Sequence, residues 1–68
     1  MTYPTLVEVV CNEAFPGARK GWIVLCLGRI QNKPECLIVV DIKGHVYYDV
    51  WDYEVKFLTE EEIKEIGV

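Results

Sequence analysis

The order of hydrophobic and polar residues over 22–58 predicts an almost continuous series of β-strands. Two stretches of it, 22–27 and 36–40, are apolar at every position and do not alternate. A strand with one buried face alternates apolar and polar residues, whereas a continuous apolar run indicates cover on both faces. A chain of 68 residues offers little material for covering a sheet twice. The sheet must therefore close into a barrel, lie beneath a short helix, or pair with another chain.

Turn-forming residues divide the chain into five predicted strands, at about 5–11, 22–30, 35–42, 45–50 and 53–58. Within the second strand, Gly28 predicts a bulge or a sharp bend. Residues 31–34 are predicted to form a hairpin loop, because Pro34 lacks the N–H that a central strand must donate. A tight turn is predicted at Lys43 and Gly44. The last two strands can also be interpreted as one bent strand over 45–58.

A short helix is predicted at about 60–66, after the last strand. Thr59 and Glu62 have the spacing of a capping box, in which each side chain accepts a hydrogen bond from the other residue's backbone N–H. Gly67 is expected to end the helix. The apolar residues expected to dock it on the sheet are Leu58, Ile63 and Ile66. These elements predict one mostly-β domain over 1–68, built as a five-stranded, strongly bent antiparallel sheet or small barrel with a short C-terminal α-helix.

The net charge of −4 is unevenly distributed along the chain. Residues 1–48 contain five Lys or Arg and four Asp or Glu, whereas residues 49–68 contain two Lys and seven acidic residues. The acidic C-terminal third argues against broad nucleic-acid binding, which needs a basic surface. The alternative is a local basic patch formed by Arg19, Lys20, Arg29 and Lys33.

Three cysteines are expected to be reduced thiols of the core, because no secretory signal is evident and a cytoplasmic location is expected. No apolar run approaches the roughly 20 residues of a membrane helix, so no membrane association is expected. Cys11, Cys26, Cys36 and His45 are too widely spaced for the close ligand pairs of structural zinc sites. A hairpin places Cys26 opposite Val39 and Cys36 opposite Arg29, which is too far for a disulfide. Neither a metal nor a cofactor is expected.

His45 could pair with Asp41 or Asp49 for acid–base chemistry, since Asp41 and His45 flank the predicted turn at 43–44. A catalytic dyad also needs a nucleophile and a cleft. A polar pair at a hairpin end is therefore the favoured interpretation, and no catalytic residues are assigned.

Aromatic residues are concentrated near the end of the sheet region. The residues expected to bind a partner are Tyr47, Tyr48, Trp51, Tyr53 and Trp22, together with Asp49 and Asp52. Tyrosine and tryptophan are enriched at the residues that dominate protein–protein binding energy. Some of these rings must fill the core, but the interleaved acids Asp49, Asp52 and Glu54 would give an exposed set an acidic rim suited to a basic protein partner.

The segment VEVV at 7–10, followed by FPGARKGWIV at 15–24, resembles the opening of KOW-type barrels, which belong to the Src-homology-3-like small barrels. The resemblance covers residues 5–58 as a spacing pattern of strands and loops. It implies binding of RNA or of proteins of the transcription and translation machinery. The acidic charge and the terminal helix depart from that pattern.

The function expected from these features is that of a non-enzymatic protein-interaction module, such as a small inhibitor or adaptor, that acts by binding a larger protein, by self-association, or by both. A compact acidic chain of this kind also fits a phage- or plasmid-borne inhibitor. The alternative function is nucleic-acid binding by a small barrel through the basic patch.

Overall fold

A computed structural model of the chain describes residues 3–66. Its elements follow the predicted order. They are strands β1 (Thr5–Val9), β2 (Ile23–Ile30), β3 (Lys33–Val40), β4 (Val46–Trp51) and β5 (Val55–Phe57), a 3₁₀-helix (Asp52–Glu54) before β5, and helix α1 (Glu60–Glu65). All neighbouring strands are antiparallel, in the order β4-β3-β2-β1-β5. The mostly-β fold with one short C-terminal helix is confirmed, and the sheet is open, with β4 and β5 at its two ends.

The predicted irregularity at Gly28 is confirmed. The register between β2 and β3 shifts between Cys26 and Gly28. Gly28 has a φ of 153°, a conformation that residues with a Cβ atom rarely adopt. Cys26 lies opposite Val39 as predicted. Arg29 lies opposite Leu37, however, and not opposite Cys36. The bulge leaves one residue of β2 without a partner on β3, so the register cannot be obtained by counting residues back from the hairpin turn.

The prediction that Pro34 lies in the hairpin loop is wrong. β3 begins at Lys33, which pairs with Ile30, so the loop contains only Gln31 and Asn32. Pro34 sits at the start of the strand beside a second register shift, where the regular ladder of N–H donors is already interrupted. Its carbonyl instead accepts a hydrogen bond from Arg29 Nη1 at 2.7 Å.

One face of the sheet, the inner face, carries the core. The fully buried side chains at its centre are Val7, Val9, Cys26, Leu37, Val39 and Val50. The loop at 10–22 covers part of this face, because Ala14, Phe15 and Ala18 from the loop are buried in the same cluster. The Phe15 ring stacks on Tyr47 with the ring centroids 4.5 Å apart. Loop side chains therefore provide part of the second layer that so short a chain needs.

The opposite, outer face of the sheet stays accessible. Register partners share a face, and the pairs Leu6–Leu25, Leu25–Val40 and Val40–Val46 form one apolar row across β1 to β4. Ile23 and Leu27 flank Leu25 on β2, and all three are exposed. Both faces of β2 are therefore apolar, but within residues 3–66 only the inner face is covered.

Helix α1 starts as predicted, but it docks less than predicted. Thr59 Oγ1 accepts from the Glu62 N–H, and Glu62 Oε1 accepts from the Thr59 N–H at 3.0 Å, which completes the capping box. None of the residues 60–65 is buried, and Ile66 is exposed. Only Leu58, which precedes the helix, is buried. The predicted end at Gly67 lies outside the described residues.

Several strand ends differ from the predicted ones. β1 ends at Val9, because Cys11 already belongs to the long loop. β4 runs to Trp51, and β5 shrinks to Val55–Phe57 because the 3₁₀-helix takes the residues between them. The interpretation of 45–58 as one bent strand is therefore wrong.

Candidate interaction surface

An open groove lies where the long loop meets the end of β4 and the 3₁₀-helix. Its volume is about 540 Å³. The side chains that define this acidic groove are Glu13, Phe15, Asp49, Trp51, Tyr53 and Glu54. The long loop therefore meets the distant end of β4 and the adjoining 3₁₀-helix at one concave site that combines carboxylates with aromatic rings.

Two aromatic rings form the apolar part of the acidic groove. Trp51 and Tyr53 stack with their centroids 5.9 Å apart and an interplanar angle of 24°. Tyr53 is 71% exposed, whereas Trp51 is half-buried. The Lys33 ammonium lies 5.2 Å from the centre of the Trp51 ring, within the range of a cation–π contact. The Trp51 ring thus already attracts a cation within the chain.

The acids of the acidic groove differ in their surroundings. Glu54 is the one buried charged side chain among residues 3–66, and its Oε1 accepts from the Trp51 N–H at 3.0 Å. This bond ties the 3₁₀-helix to the end of β4 and fixes the backbone between Trp51 and Tyr53. Glu13 and Asp49 are exposed, so their charges are available to a ligand.

The seven residues predicted to bind a partner do not form one surface. Trp51, Tyr53 and Asp49 line the acidic groove. Tyr47 packs on Phe15 at the edge of the core, and Tyr48 is 61% exposed on another part of β4. The remaining two are placed elsewhere. Trp22 immediately precedes β2 and lines an apolar pocket of about 350 Å³ that Ile42 also lines, whereas Asp52 pairs with Arg29 at 3.4 Å.

The four basic residues of the alternative patch are divided between two ends of the sheet. Arg19 and Lys20 precede β2, whereas Arg29 is near its far end. At a rise of about 3.3 Å per residue, the strand separates them by roughly 20 Å. Arg29 bonds to Asp52 and lies 5.5 Å from the centre of the Phe57 ring, and Lys33 lies over Trp51. The structure therefore does not gather these cations on one face.

Asp41 and His45 meet across the β3–β4 turn, as the sequence suggested they could. His45 Nδ1 lies 3.6 Å from Asp41 Oδ2, while Asp41 Oδ1 accepts from the backbone N–H groups of Lys43 and His45, both at 2.9 Å. Burial alone would raise the pKa of Asp41, but these N–H donors, the Tyr47 hydroxyl and His45 outweigh it and hold the pKa below its usual value. The carboxylate is thus engaged in holding the turn, which Gly44 completes with a φ of 88°.

The cysteine thiols are unpaired, with Cys26 and Cys36 buried and Cys11 half-buried. Burial raises the pKa of the Cys26 thiol. Among residues 3–66, no three His, Cys, Asp or Glu side chains come together in a way that could hold a metal ion. The same part of the chain contains no helix that is both long enough and apolar enough to cross a membrane.

Sequence reasoning missed the contribution of the long loop to the site. Glu13 and Phe15 were not predicted as site residues, and Glu54 was considered only as part of an acidic rim. The aromatic concentration pointed to Trp51 and Tyr53, but the loop residues carry no local pattern that places them beside β4. Comparisons with protein-family models, with curated proteins and with solved structures found no match to this chain.

Proposed function

We propose that the chain is a non-enzymatic protein-interaction module, of the inhibitor or adaptor type, whose acidic groove binds a basic segment of a larger protein. The observation that supports this most is the meeting of the stacked Trp51 and Tyr53 rings with Asp49 and Glu13 in one open groove. Aromatic rings attract lysine and arginine side chains, and carboxylates strengthen that attraction.

The charge of the groove favours a basic partner over a nucleic acid. Phosphate backbones would meet the exposed carboxylates of Glu13 and Asp49, so repulsion would oppose their entry. A single-stranded nucleic acid could stack on Tyr53, but its phosphates need cations nearby. Of the nearby cations, Lys33 lies over Trp51 and Arg29 is paired with Asp52. Nucleic-acid binding is therefore the second candidate, and binding to RNA that weakens steeply with salt would favour it.

The test compares two tyrosines that differ in position but little in exposure. Tyr53→Ala removes a ring from the acidic groove, whereas Tyr48→Ala removes a similarly exposed ring from β4 outside it. A pull-down with mass spectrometry should recover a partner with wild type and with Tyr48→Ala, and should lose it with Tyr53→Ala. Asp49→Asn should weaken the same complex.

A direct titration makes the test quantitative. A lysine- and arginine-rich segment of the recovered partner is titrated while the tryptophan fluorescence of the protein is followed. Tyr53→Ala is expected to weaken binding by roughly tenfold or more, as truncation of an important interface ring does. Equal binding by wild type, Tyr53→Ala and Asp49→Asn would rule out the groove as the binding site.

A further inference from the structure

The outer face of the sheet is a second surface, separate from the acidic groove. Leu6, Leu25, Val40 and Val46 form its central row, one residue from each of four strands. The accessible apolar residues around this row are Ile23, Leu27, Ile38 and Tyr48. The position of these residues on β1 to β4 makes the surface a continuous one.

Charge is absent from the centre of this outer face, in the part of the chain that the structure describes. The eight residues of the row and its surroundings are all uncharged. The nearest charged register pair is Glu8–Lys56, one residue of each sign, toward the β5 end of the sheet. The protein as a whole carries a net charge of −4, so an uncharged face is the surface on which two copies approach with the least repulsion.

The accessible area is close to what one side of a stable interface needs. With about 200 Å² for a fully accessible large side chain, the five exposed residues alone leave roughly 440 Å² of outer face in contact with water, and the half-buried Leu6, Ile38 and Val40 add to this area. The total lies toward the upper end of the range for the apolar patches of monomers. A standard interface buries about 800 Å² on each partner, which the patch and its rim would supply.

We propose that the outer face is the interface of a two-fold symmetric homodimer, in which two sheets pack face to face. A second copy fits this surface because a broad uncharged sheet face is complementary to itself. Sheets stacked in this way pack at about 10 Å, with their strands near-aligned. The same patch on each copy then covers the other, as a two-fold axis requires. This inference does not depend on the acidic groove.

The test introduces one lysine on the face and one away from its apolar row. Leu25 lies at the centre of the row and is 36% exposed, and Val10, beyond the end of β1, is 37% exposed. Leu25→Lys and Val10→Lys make the same change of charge, and both bring the net charge closer to zero. Loss of the dimer in Leu25→Lys alone therefore cannot come from a larger net charge.

Sedimentation is measured from low to high micromolar concentration for wild type and both variants. Wild type and Val10→Lys should sediment as dimers, and Leu25→Lys should associate at least about tenfold more weakly while keeping its circular dichroism spectrum. If Leu25→Lys does not fold, Val46→Lys replaces it at another exposed position of the row. Tyr53→Ala, which tests the acidic groove, should leave the dimer intact.

Three results would overturn the dimer. The first is a wild-type protein that is monomeric over the whole range, which would leave this face to a different partner or to water. The second is undiminished association of a folded Leu25→Lys variant. The third is an equal loss of association in Val10→Lys.

Discussion

The two faces of β2 are both apolar in composition, but one is buried and the other is exposed to solvent. Val24 on the inner face is 4% exposed, and its neighbour Leu25 on the outer face is 36% exposed. Val24 belongs to the buried cluster that also contains Phe15 and Ala14 from the long loop. The outer face has no such layer among the described residues. A continuous apolar run therefore shows that both faces of a strand are apolar, but not whether each face is covered or by what.

The largest loss of stability is expected for substitutions where the long loop packs on the inner face. Phe15→Ala removes a buried ring that stacks on Tyr47, so it should lower the free energy of unfolding by about 3 kcal/mol or more. Denaturant unfolding measures this change. A cost below about 1 kcal/mol would show that the loop is not a necessary layer of the core.

Neighbouring substitutions on β2 test the two faces directly. Val24→Ala should cost about 2 kcal/mol because it leaves a cavity in the packed inner face. Leu25→Ala removes more atoms but should cost less than about 1 kcal/mol in the monomer, since the site is already accessible. Unfolding at low protein concentration gives both values. If Leu25→Ala costs as much as Val24→Ala there, the outer face is covered within one chain.

None of the residues of helix α1 is buried, so substitutions in the helix should change the stability less than substitutions in the core. Thr59→Ala removes the side chain that accepts from the Glu62 N–H, which should lower stability by about 1 kcal/mol. Deletion of residues 59–68 should cost little more, because none of residues 60–65 is buried. A drop of several kcal/mol in thermal or denaturant unfolding of the truncated chain would show that the helix does cover the sheet.

The smallest expected effect is on the pH dependence of stability. The depressed pKa of Asp41 means that its contribution is complete above the unfolded value of about 3.9 and is lost as the pH falls through the folded value. The Lys56 ammonium and, after it, the Thr59 N–H donate to the Glu62 carboxylate and lower the pKa of Glu62 to about 2, so Glu62 acts in the same direction. When unfolding is followed between neutral pH and about pH 2, the free energy of unfolding of Asp41→Asn and of Glu62→Gln should fall less than that of the wild type.

Added salt should distinguish the contribution of Asp41 to stability from that of Glu62. The Lys56–Glu62 pair is exposed and should weaken as salt is added, whereas Asp41 is held mainly by backbone N–H groups at a short distance. Asp41→Asn should therefore keep its effect in high salt, and Glu62→Gln should lose much of its effect. An identical salt response of both variants would contradict this assignment of causes.

Local patterns in the sequence were sufficient for most of the strands and for the start of the helix. Periodicity and turn residues predicted five strands, Gly28 marked the bulge, and Thr59 with Glu62 marked the helix N-terminus. The loop boundary at Pro34 failed because the proline sits beside a register shift, and such a shift is a property of two paired strands. The partner-binding set was predicted only in part, because ring type does not reveal which side of β4 a ring occupies.

The sequence by itself determined which segments are extended, where they turn, and that both faces of β2 and β3 are apolar, because these properties depend on residues close together in the chain. Only the tertiary structure decided that the loop at 10–22 covers the inner face, that the helix leaves the outer face accessible, and that Glu13 joins Trp51 and Tyr53 in one groove. Such placements follow from packing between distant segments, where the energy depends on the fit of whole surfaces and no local pattern encodes it.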